Sequence, residues 1–364
     1  MNAPRVTVLM PVYNGERYIE EAIQSILAQT LTDFELLIVE DGSTDRSPAL
    51  IAGFEDARIR VIANPGNCGL VASLNTGLNQ ALGTYVARMD CDDVSFPERL
   101  ARQVAYLDAH PEVGLCGSWF ERHREGVVER VRPATDDADI RFWLLFKTVF
   151  LHSSVMLRRA LFVARGLRYT DAYPHAEDYA LWVQASRFMR LANVPDYLVA
   201  YRCHPDNTSS RHPARQQLSA DEVTAGYLRL LDQTLGTDEL ECHPELVRFR
   251  TRGDRETVQR CGAWLQRLAR LVETRLQQPG HRVYDQLQAQ WYAVCGKAAR
   301  EGWPIWAMYR RHPAGQRAVW HRVLRLGVRC LLRQPIPVPK PASALNPAAA
   351  GNPDVSPLTR HHSP

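Results

Sequence analysis

Val6-Thr7-Val8-Leu9-Met10, followed by Pro11, is the stretch whose reading decides the fold. Four of its five residues are apolar and they do not alternate with polar ones, so both faces need cover. That pattern belongs to a strand of a parallel sheet rather than to a half-solvated antiparallel one. Pro11 carries no N–H and predicts the end of the strand. Working outward, the same unit recurs. After the turn Val12-Tyr13-Asn14-Gly15, residues Ile19, Ala22, Ile23, Ile26 and Leu27 fall at helical spacing. A second strand over 34–39 leads to the polar loop Glu40-Asp41-Gly42-Ser43-Thr44-Asp45, after which Ser47-Pro48 reads as an N-cap and first helical residue. A third round runs from 59–62 through Asn64-Pro65-Gly66-Asn67 to a helix bearing Leu70, Val71, Leu74, Leu78 and Leu82. Thr84-Tyr85-Val86-Ala87 is a fourth strand, and Ser95-Phe96-Pro97-Glu98 reads as a capping box for a helix with Leu100, Val104 and Leu107 inside. Strand and helix alternating at this pitch predict an α/β fold with a mainly parallel, doubly wound sheet.

In such a sheet ligands sit beyond the carboxyl ends of the strands, where the loops 11–16, 40–45 and 90–93 should converge. The last of these, Arg88-Met89-Asp90-Cys91-Asp92-Asp93, sets three carboxylates within four positions. Like charges that close repel and call for a counter-charge or water. Hard oxygen ligands suit Mg²⁺ or Mn²⁺, and in an extended segment Asp90 and Asp92 point the same way. A solvated acidic turn ahead of the next helix is the plainer account of the same residues. No Gly-x-Gly-x-x-Gly follows the first strand and no Walker loop is present, which argues against dinucleotide or ATP cradles of those types. An EF-hand fails because Ser95 stands where the loop needs glycine.

With 364 residues there is material for one large domain or two ordinary ones, and a net charge of +4 argues against a dedicated nucleic-acid binder. The eight cysteines show no Cys-x-x-Cys spacing, so reduced cytoplasmic thiols are the simplest reading. The N-terminus lacks the basic and apolar regions of a signal peptide, and no window approaches the roughly 20 apolar residues of a membrane span.

From 113 the pattern loosens into a strand over 113–118, a charged hairpin over 119–132, a helix around Ile140, Trp143 and Leu144, and an extended segment over 153–157. Glu177 and Asp178 suit a helix N-terminus, where dipole capping is their plainer role. Residues 197–202 read as a last strand, ending at Cys203-His204, where a lone histidine is more often structural than a ligand. Beyond 215 the chain is helical. Val258, Cys261, Leu265, Leu268 and Val272 share one face, and a second amphipathic stretch covers 283–299. Val319, Trp320, Val323, Leu324, Gly327, Val328, Leu331 and Leu332 line one side of a last helix, with Arg317, Arg322, Arg325, Arg329 and Arg333 around it. That basic segment, 317–333, can either lie on an anionic membrane as a peripheral contact or fold back on the protein. The Pro- and Ala-rich tail, 335–364, predicts disorder.

Six motifs taken in order resemble the family 2 glycosyltransferases of the GT-A fold: Pro11-Val12-Tyr13-Asn14-Gly15-Glu16, Glu40 to Asp45, Asn75-Thr76-Gly77, Arg88 to Asp93, Pro97-Glu98-Arg99-Leu100 and Glu177-Asp178. His152-Ser153-Ser154 with Leu157-Arg158-Arg159, and Tyr201-Arg202-Cys203-His204, resemble the later part of bacterial members that build cell-surface polysaccharides. The likeness covers about the first 205 residues. It implies a GT-A domain over 1–212, with a nucleotide half 1–112 and an acceptor half 113–212, ahead of a helical region 213–334. It also implies a nucleotide-sugar donor, usually a UDP-sugar, a divalent cation, and transfer with inversion to a glycan or lipid-linked acceptor. Carried over by position, Pro11, Tyr13 and Glu16 line the base and ribose pocket, Asp41 accepts from the pyrimidine N–H, and Asp90 holds the ribose or assists the metal. Asp92 is the main metal ligand, Glu177 lies on the donor, Asp178 is the general base, and His204 is an additional metal or diphosphate contact. Glu40 stands where the family often has Asp. Cys91 takes the place of a commoner small residue and should be oxidisable. Leu74 replaces an Arg before Asn75, leaving a diphosphate contact to Arg88 or Arg202. The rivals are a sugar-nucleotide-binding protein without turnover and a sugar nucleotidyltransferase, the latter lacking its basic Gly-rich loop here.

Overall fold

The computed structural model describes residues 3–336. The first half holds β1 Val6–Val12, α1 Ile19–Leu27, β2 Phe34–Glu40, α2 Ser47–Ala52, β3 Ile59–Ala63, α3 Leu70–Gln80, β4 Tyr85–Arg88, β5 Val94–Ser95 and α4 Arg99–Ala109. Next come β6 Val113–Arg124, β7 Val127–Val131, α5 Asp137–Trp143, β8 Met156–Arg158, α6 Arg159–Ala164, α7 Glu177–Ala185 and β9 Arg190–Arg202. The helical part comprises α8 Thr208–Arg211, α9 Pro213–Leu231, α10 Thr237–Val247, α11 Arg255–Arg275, α12 His281–Gln286, α13 Gln288–Lys297, α14 Trp303–Arg311, α15 Pro313–Gln316 and α16 Trp320–Leu331.

One sheet runs β3-β2-β1-β4-β8-β6-β9-β5, with β7 hanging on β6. The first four strands are parallel. Past β4 the sheet turns mixed: β8 is antiparallel to both β4 and β6, β9 is parallel to β6, and β5 closes the edge antiparallel to β9. Strand order reverses at β1, which lies between β2 and β4. In sheets of this kind ligands bind at the strands' carboxyl ends beside such a switch point. β1 and β2 are buried along their whole length. Ile19, Ala22, Ile23 and Ile26 of α1 belong to the same core.

Four local expectations give way. β1 continues through Pro11 to Val12, since β4 stops pairing at Leu9↔Arg88 while β2 pairs on to Val12↔Glu40. Leu9 C=O faces β4 and Val12 C=O faces the β2 side, so by alternation the missing N–H of Pro11 points where no strand waits. Ser47 is not the cap of α2: its Oγ accepts the Gly15 N–H (2.8 Å), and Asp45 accepts the Ser47 N–H instead (2.9 Å). Ser95 is not the cap of α4 either, because it sits in β5 with its N–H on Ser25 Oγ (3.1 Å). Ser153 and Ser154, expected extended, form a 3₁₀ turn ahead of β8.

The described residues divide into two compact units, one through Leu235 together with Leu271–Gln278, the other Gly236–Arg270 with Pro279 onward. The first includes α9, where Thr224 Oγ1 meets the Tyr179 hydroxyl of α7 at 3.1 Å. Val258, Cys261, Leu265, Leu268 and Val272 are fully buried. The amphipathic stretch 283–299 breaks between α12 and α13. Val319, Trp320, Leu324, Val328, Leu331 and Leu332, expected to line one side of the last helix with Val323 and Gly327, stand exposed. Leu326 and Cys330 are the buried residues of α16. Its apolar arc is too wide for one contact face. Ile336, at the head of the expected tail, is buried and bonds Gly296 C=O (2.9 Å), and 337–364 lie outside the described residues.

Candidate active site

The loops after β1 and β2 are laced together before any ligand arrives. Asn14 adopts a left-handed conformation (φ 53°) and accepts the Thr44 N–H on Oδ1 (2.8 Å), while its own N–H donates to Ser43 Oγ (3.0 Å). Asparagine tolerates that backbone region better than most residues. Glu16 donates its N–H to Asp45 Oδ2 (3.0 Å) and accepts the Arg46 N–H on Oε2 (3.0 Å). A Cβ on Gly15 would lie 3.0 Å from Cys91 Sγ, a tight approach that the thiol would have to relieve. Pro11 is buried within β1, and Tyr13, just past that strand, is 45% exposed.

Asp41 is buried at the end of β2, where it accepts from Asn64 Nδ2 (2.6 Å), Cys68 N–H (3.0 Å) and Gly69 N–H (2.9 Å). A carboxylate has about four lone-pair sites, so one remains for a further donor. Glu40 folds back to accept the Gly42 and Ser43 N–H groups. These bonds fix the loop.

Beyond β4 the acidic residues separate by role. Asp93 is fully buried: Oδ1 accepts the Arg202 N–H (2.9 Å) and Oδ2 meets the Ser153 hydroxyl. Asp90 Oδ2 is paired with Arg88 and Ser153 (2.8 Å to the latter). Asp92 Oδ2 meets His204 Nε2 (3.0 Å) and Asn207 Nδ2 (3.3 Å). Oδ1 of Asp90 and Oδ1 of Asp92 thus stay open among the described residues. The three aspartates present ligand atoms within 4.8 Å of one another. Burial and the Asp90 charge raise the Asp92 carboxyl, and burial with both neighbours lifts Asp93 well above the usual range. His204 Nδ1 is buried without a hydrogen-bond partner among the described residues. Two open carboxylate oxygens and surplus negative charge fit a hard divalent cation, while His204, expected as an additional ligand, bonds Asp92 and lies outside the three-aspartate cluster. Cys91 does not fit the expectation of an oxidisable thiol. Burial and the flanking aspartates push its pKa well up, which suppresses the thiolate.

Arg88 is the buried cation of this neighbourhood. It bonds Asp90 and Ser153 (3.0 Å to the latter), while Arg99, wholly buried, donates to the Arg88 carbonyl (2.7 Å). Arg202 is turned aside, its guanidinium over the Tyr18 ring and paired with Glu21 at 3.0 Å. Glu177 is buried and Asp178 half-buried at the first turn of α7. Burial, then the charge of Asp178, raises Glu177 to about 7; burial raises Asp178 to about 6, opposed by the Tyr179 N–H (2.6 Å to Oδ1) and by Arg88. The charges of Asp90 and Arg88 are felt by both carboxyls, so the start of α7 lies near the acidic loop. Tyr169 lies within the same electrostatic neighbourhood; its hydroxyl meets His152 Nε2 (2.8 Å) and its backbone is gripped by the Asn75 amide (3.0 and 3.1 Å).

The residues singled out from sequence therefore gather in one unit, at the sheet's switch point. Sequence reasoning missed Ser153, Asn207, Arg99 and Tyr169 as neighbours of these side chains. Ser153 and Arg99 lie inside motifs read from the sequence, and Asn207 lies three residues past His204 across a turn. Tyr169 carried no local signal.

The family model for glycosyl transferase family 2 matches residues 7–164. An uncharacterized glycosyltransferase of Haemophilus influenzae is 33% identical over 249 residues, 65% of this chain and 77% of that protein. The amylovoran biosynthesis glycosyltransferase AmsE of Erwinia amylovora is 33% identical over 216 residues, 56% of this chain and 79% of its own. Among solved structures, Staphylococcus aureus TarS 1–349 in complex with UDP-GlcNAc superposes with a TM-score of 0.56 at 18% identity, covering 89% of this chain and 90% of that one. The mannosyltransferase PcManGT of Pyrobaculum calidifontis, in complex with GDP-Man and Mn²⁺, gives 0.50 at 17%, covering 89% and 87%. At those identities the superpositions speak to the fold, which is of the GT-A type. A parallel nucleotide-side sheet, an Asp-x-Asp loop on the strand that flanks its switch point, and relatives a third identical across most of their length lead to one conclusion: the chain is a member of glycosyl transferase family 2.

Proposed function

We propose that this glycosyltransferase moves one sugar, with inversion, from a nucleotide-diphosphate donor, a UDP-sugar before others, to a hydroxyl of a glycan or lipid-linked acceptor in cell-surface polysaccharide synthesis. The observation that carries the reading is the cluster of aspartates after β4, with open carboxylate oxygens, in the same compact unit as the Glu177-Asp178 pair that opens α7. The charges of Arg88 and Asp90 felt by both α7 carboxyls support their nearness. AmsE, a biosynthetic enzyme by name, and the nucleotide-sugar complexes of TarS and PcManGT support the substrate class. The eight free cysteines suit a reducing cytoplasm.

Pro11, Tyr13 and Glu16 line the base and ribose, with the exposed Tyr13 ring free to lie against the base. Asp41 offers its remaining lone pair to a ring N–H, Asp90 reaches the ribose, and Glu177 lies on the donor sugar. Asp92 and Asp90, with His204 beside them, would hold Mn²⁺ or Mg²⁺, which when bound neutralises charge on the departing diphosphate. Asp178 takes the proton of the acceptor hydroxyl as its oxygen bonds to the anomeric carbon and the bond to the diphosphate breaks on the opposite face. A single displacement inverts that carbon.

The test is a panel of nucleotide sugars screened by thermal shift with and without Mn²⁺, followed by measuring nucleoside diphosphate release with candidate acceptors. Metal-dependent stabilisation and release by one donor class is expected. Binding with no release under any acceptor would indicate a sugar-nucleotide-binding protein, and exchange of pyrophosphate would indicate a nucleotidyltransferase.

A further inference from the structure

The second compact unit carries a surface that its own fold does not use. α16 docks on α14 by its inner side: Leu326 and Cys330 are buried, Trp306 Nε1 donates to Val323 C=O (3.2 Å), and a Cβ on Gly327 would lie 2.9 Å from Trp306 Nε1. The outer side is apolar and open, with Trp320 and Leu331 each 74% exposed, Leu324 58% and Val328 55%. At 3.6 residues per turn these four fall within an arc of about 80°, and Arg325 and Arg329 take the adjoining shoulder. Between Gly302 and Ile336 the chain has seven arginines, at 310, 311, 317, 322, 325, 329 and 333, and no Asp or Glu. Among the described residues only Arg317 of the seven is ion-paired, to Asp285 at 3.3 Å.

We infer that this outer face of α16 seats the protein on an anionic phospholipid surface, with Trp320, Leu324, Val328 and Leu331 entering the headgroup boundary and the arginines meeting lipid phosphates. Apolar burial and attraction to anionic headgroups are the two terms that hold an interfacial helix. Tryptophan suits that boundary because its ring is apolar and its N–H polar. A second copy of the chain is a poor occupant, since a two-fold interface would set the arginine-rich patch against itself. Residues 337–364 are a poor one too, since Asp354 is their single acidic residue against Lys340 and Arg360. No helix of the described residues is long and apolar enough to cross a membrane, which agrees with a helix lying on the surface.

The test uses the full chain and two sets of vesicles, phosphatidylcholine alone and phosphatidylcholine with about a third phosphatidylglycerol. The protein should sediment with the anionic vesicles, release as salt is raised, and ignore the neutral ones. Arg325→Gln with Arg329→Gln should weaken partitioning by roughly 30-fold, at about fivefold per arginine. Leu324→Asp with Leu331→Asp should abolish it. The leucines and Arg325 are exposed, and Arg329 is half-buried with one bond to the exposed Gln334, so both pairs should leave the thermal midpoint and donor binding unchanged. Equal binding to both vesicle types, no binding of the full chain to either, or indifference to both variant pairs would overturn the inference. So would concentration-dependent self-association that the leucine variants remove, which would make the occupant a second copy.

Discussion

The carboxylates that follow β4 and those that open α7 are equally crowded, yet the fold supplies them differently. In the loop each aspartate has protein donors: the Arg202 N–H for Asp93, Arg88 and the Ser153 hydroxyl for Asp90, His204 and Asn207 for Asp92. At α7, Glu177 is buried with no donor from another residue among those described, and Asp178 has the Tyr179 N–H alone. The loop has donors in place but too few positive charges. The α7 pair lacks donors, and its pKa values rise toward neutrality, where a carboxylate can take up and release a proton. On this contrast the first cluster suits holding a cation and the second suits general-base chemistry.

The largest expected effect breaks the contrast at its proton-handling end. Asp178→Asn keeps the shape of the side chain and removes its basicity, so turnover should fall by about 10²–10⁴-fold with donor affinity unchanged. Single-turnover transfer alongside a donor titration measures both, and near-wild-type transfer would remove Asp178 from the role. Next, Asn207→Ala strips one partner from Asp92 and should weaken Mn²⁺ binding by about 10–100-fold, read by isothermal titration. Unchanged affinity would detach Asp92 from the metal. A pH profile sharpens the contrast further. The base must be ionised, and its pKa is raised to about 6, so kcat/KM should drop about tenfold per unit as pH falls below that value and level off above it. A profile flat down to pH 5 would place the acting base elsewhere.

How much of this was legible depended on the range of the interactions. The strands β1 to β4 and helices α1 and α3 write their burial into local periodicity, and the polar loops follow from strand direction. Ser47 and Ser95 misled because a hydroxyl before a helix is read as a cap, whereas the Gly15 N–H and the Gln29 side chain, far off in sequence, donate to those hydroxyls. β5 and β8 are two and three residues long, too short for a period, and their antiparallel placement rests on distant partners, about a hundred residues away for β5 and about seventy for β8. In the site, Asp41, Asp90, Asp92, Glu177 and Asp178 stood out because charge at a strand or helix end is conspicuous. Tyr169 and Ser153 did not, since a tyrosine or serine looks alike in a core, a turn or an active site.

The smallest effect concerns Ser153, whose single hydroxyl proton lies between two carboxylates. Its Oγ meets Asp90 and Asp93 and also accepts from Arg88. One proton cannot serve both aspartates if both are ionised. The arrangement is satisfied if Asp93, whose pKa is lifted well up by burial and by Asp92 and Asp90, keeps its own proton and donates it to Ser153, leaving the hydroxyl to donate to Asp90. Ser153→Ala should then cost about 1–3 kcal/mol of stability by stranding buried partners. Asp93→Asn should cost much less than Asp93→Ala, because an amide can donate to Ser153 through Nδ2 while Oδ1 still accepts the Arg202 N–H. Denaturant unfolding of the three variants decides it: if Asn is as damaging as Ala at Asp93, the residue is an anion in the folded protein, and the loop carries one more negative charge for a cation to balance.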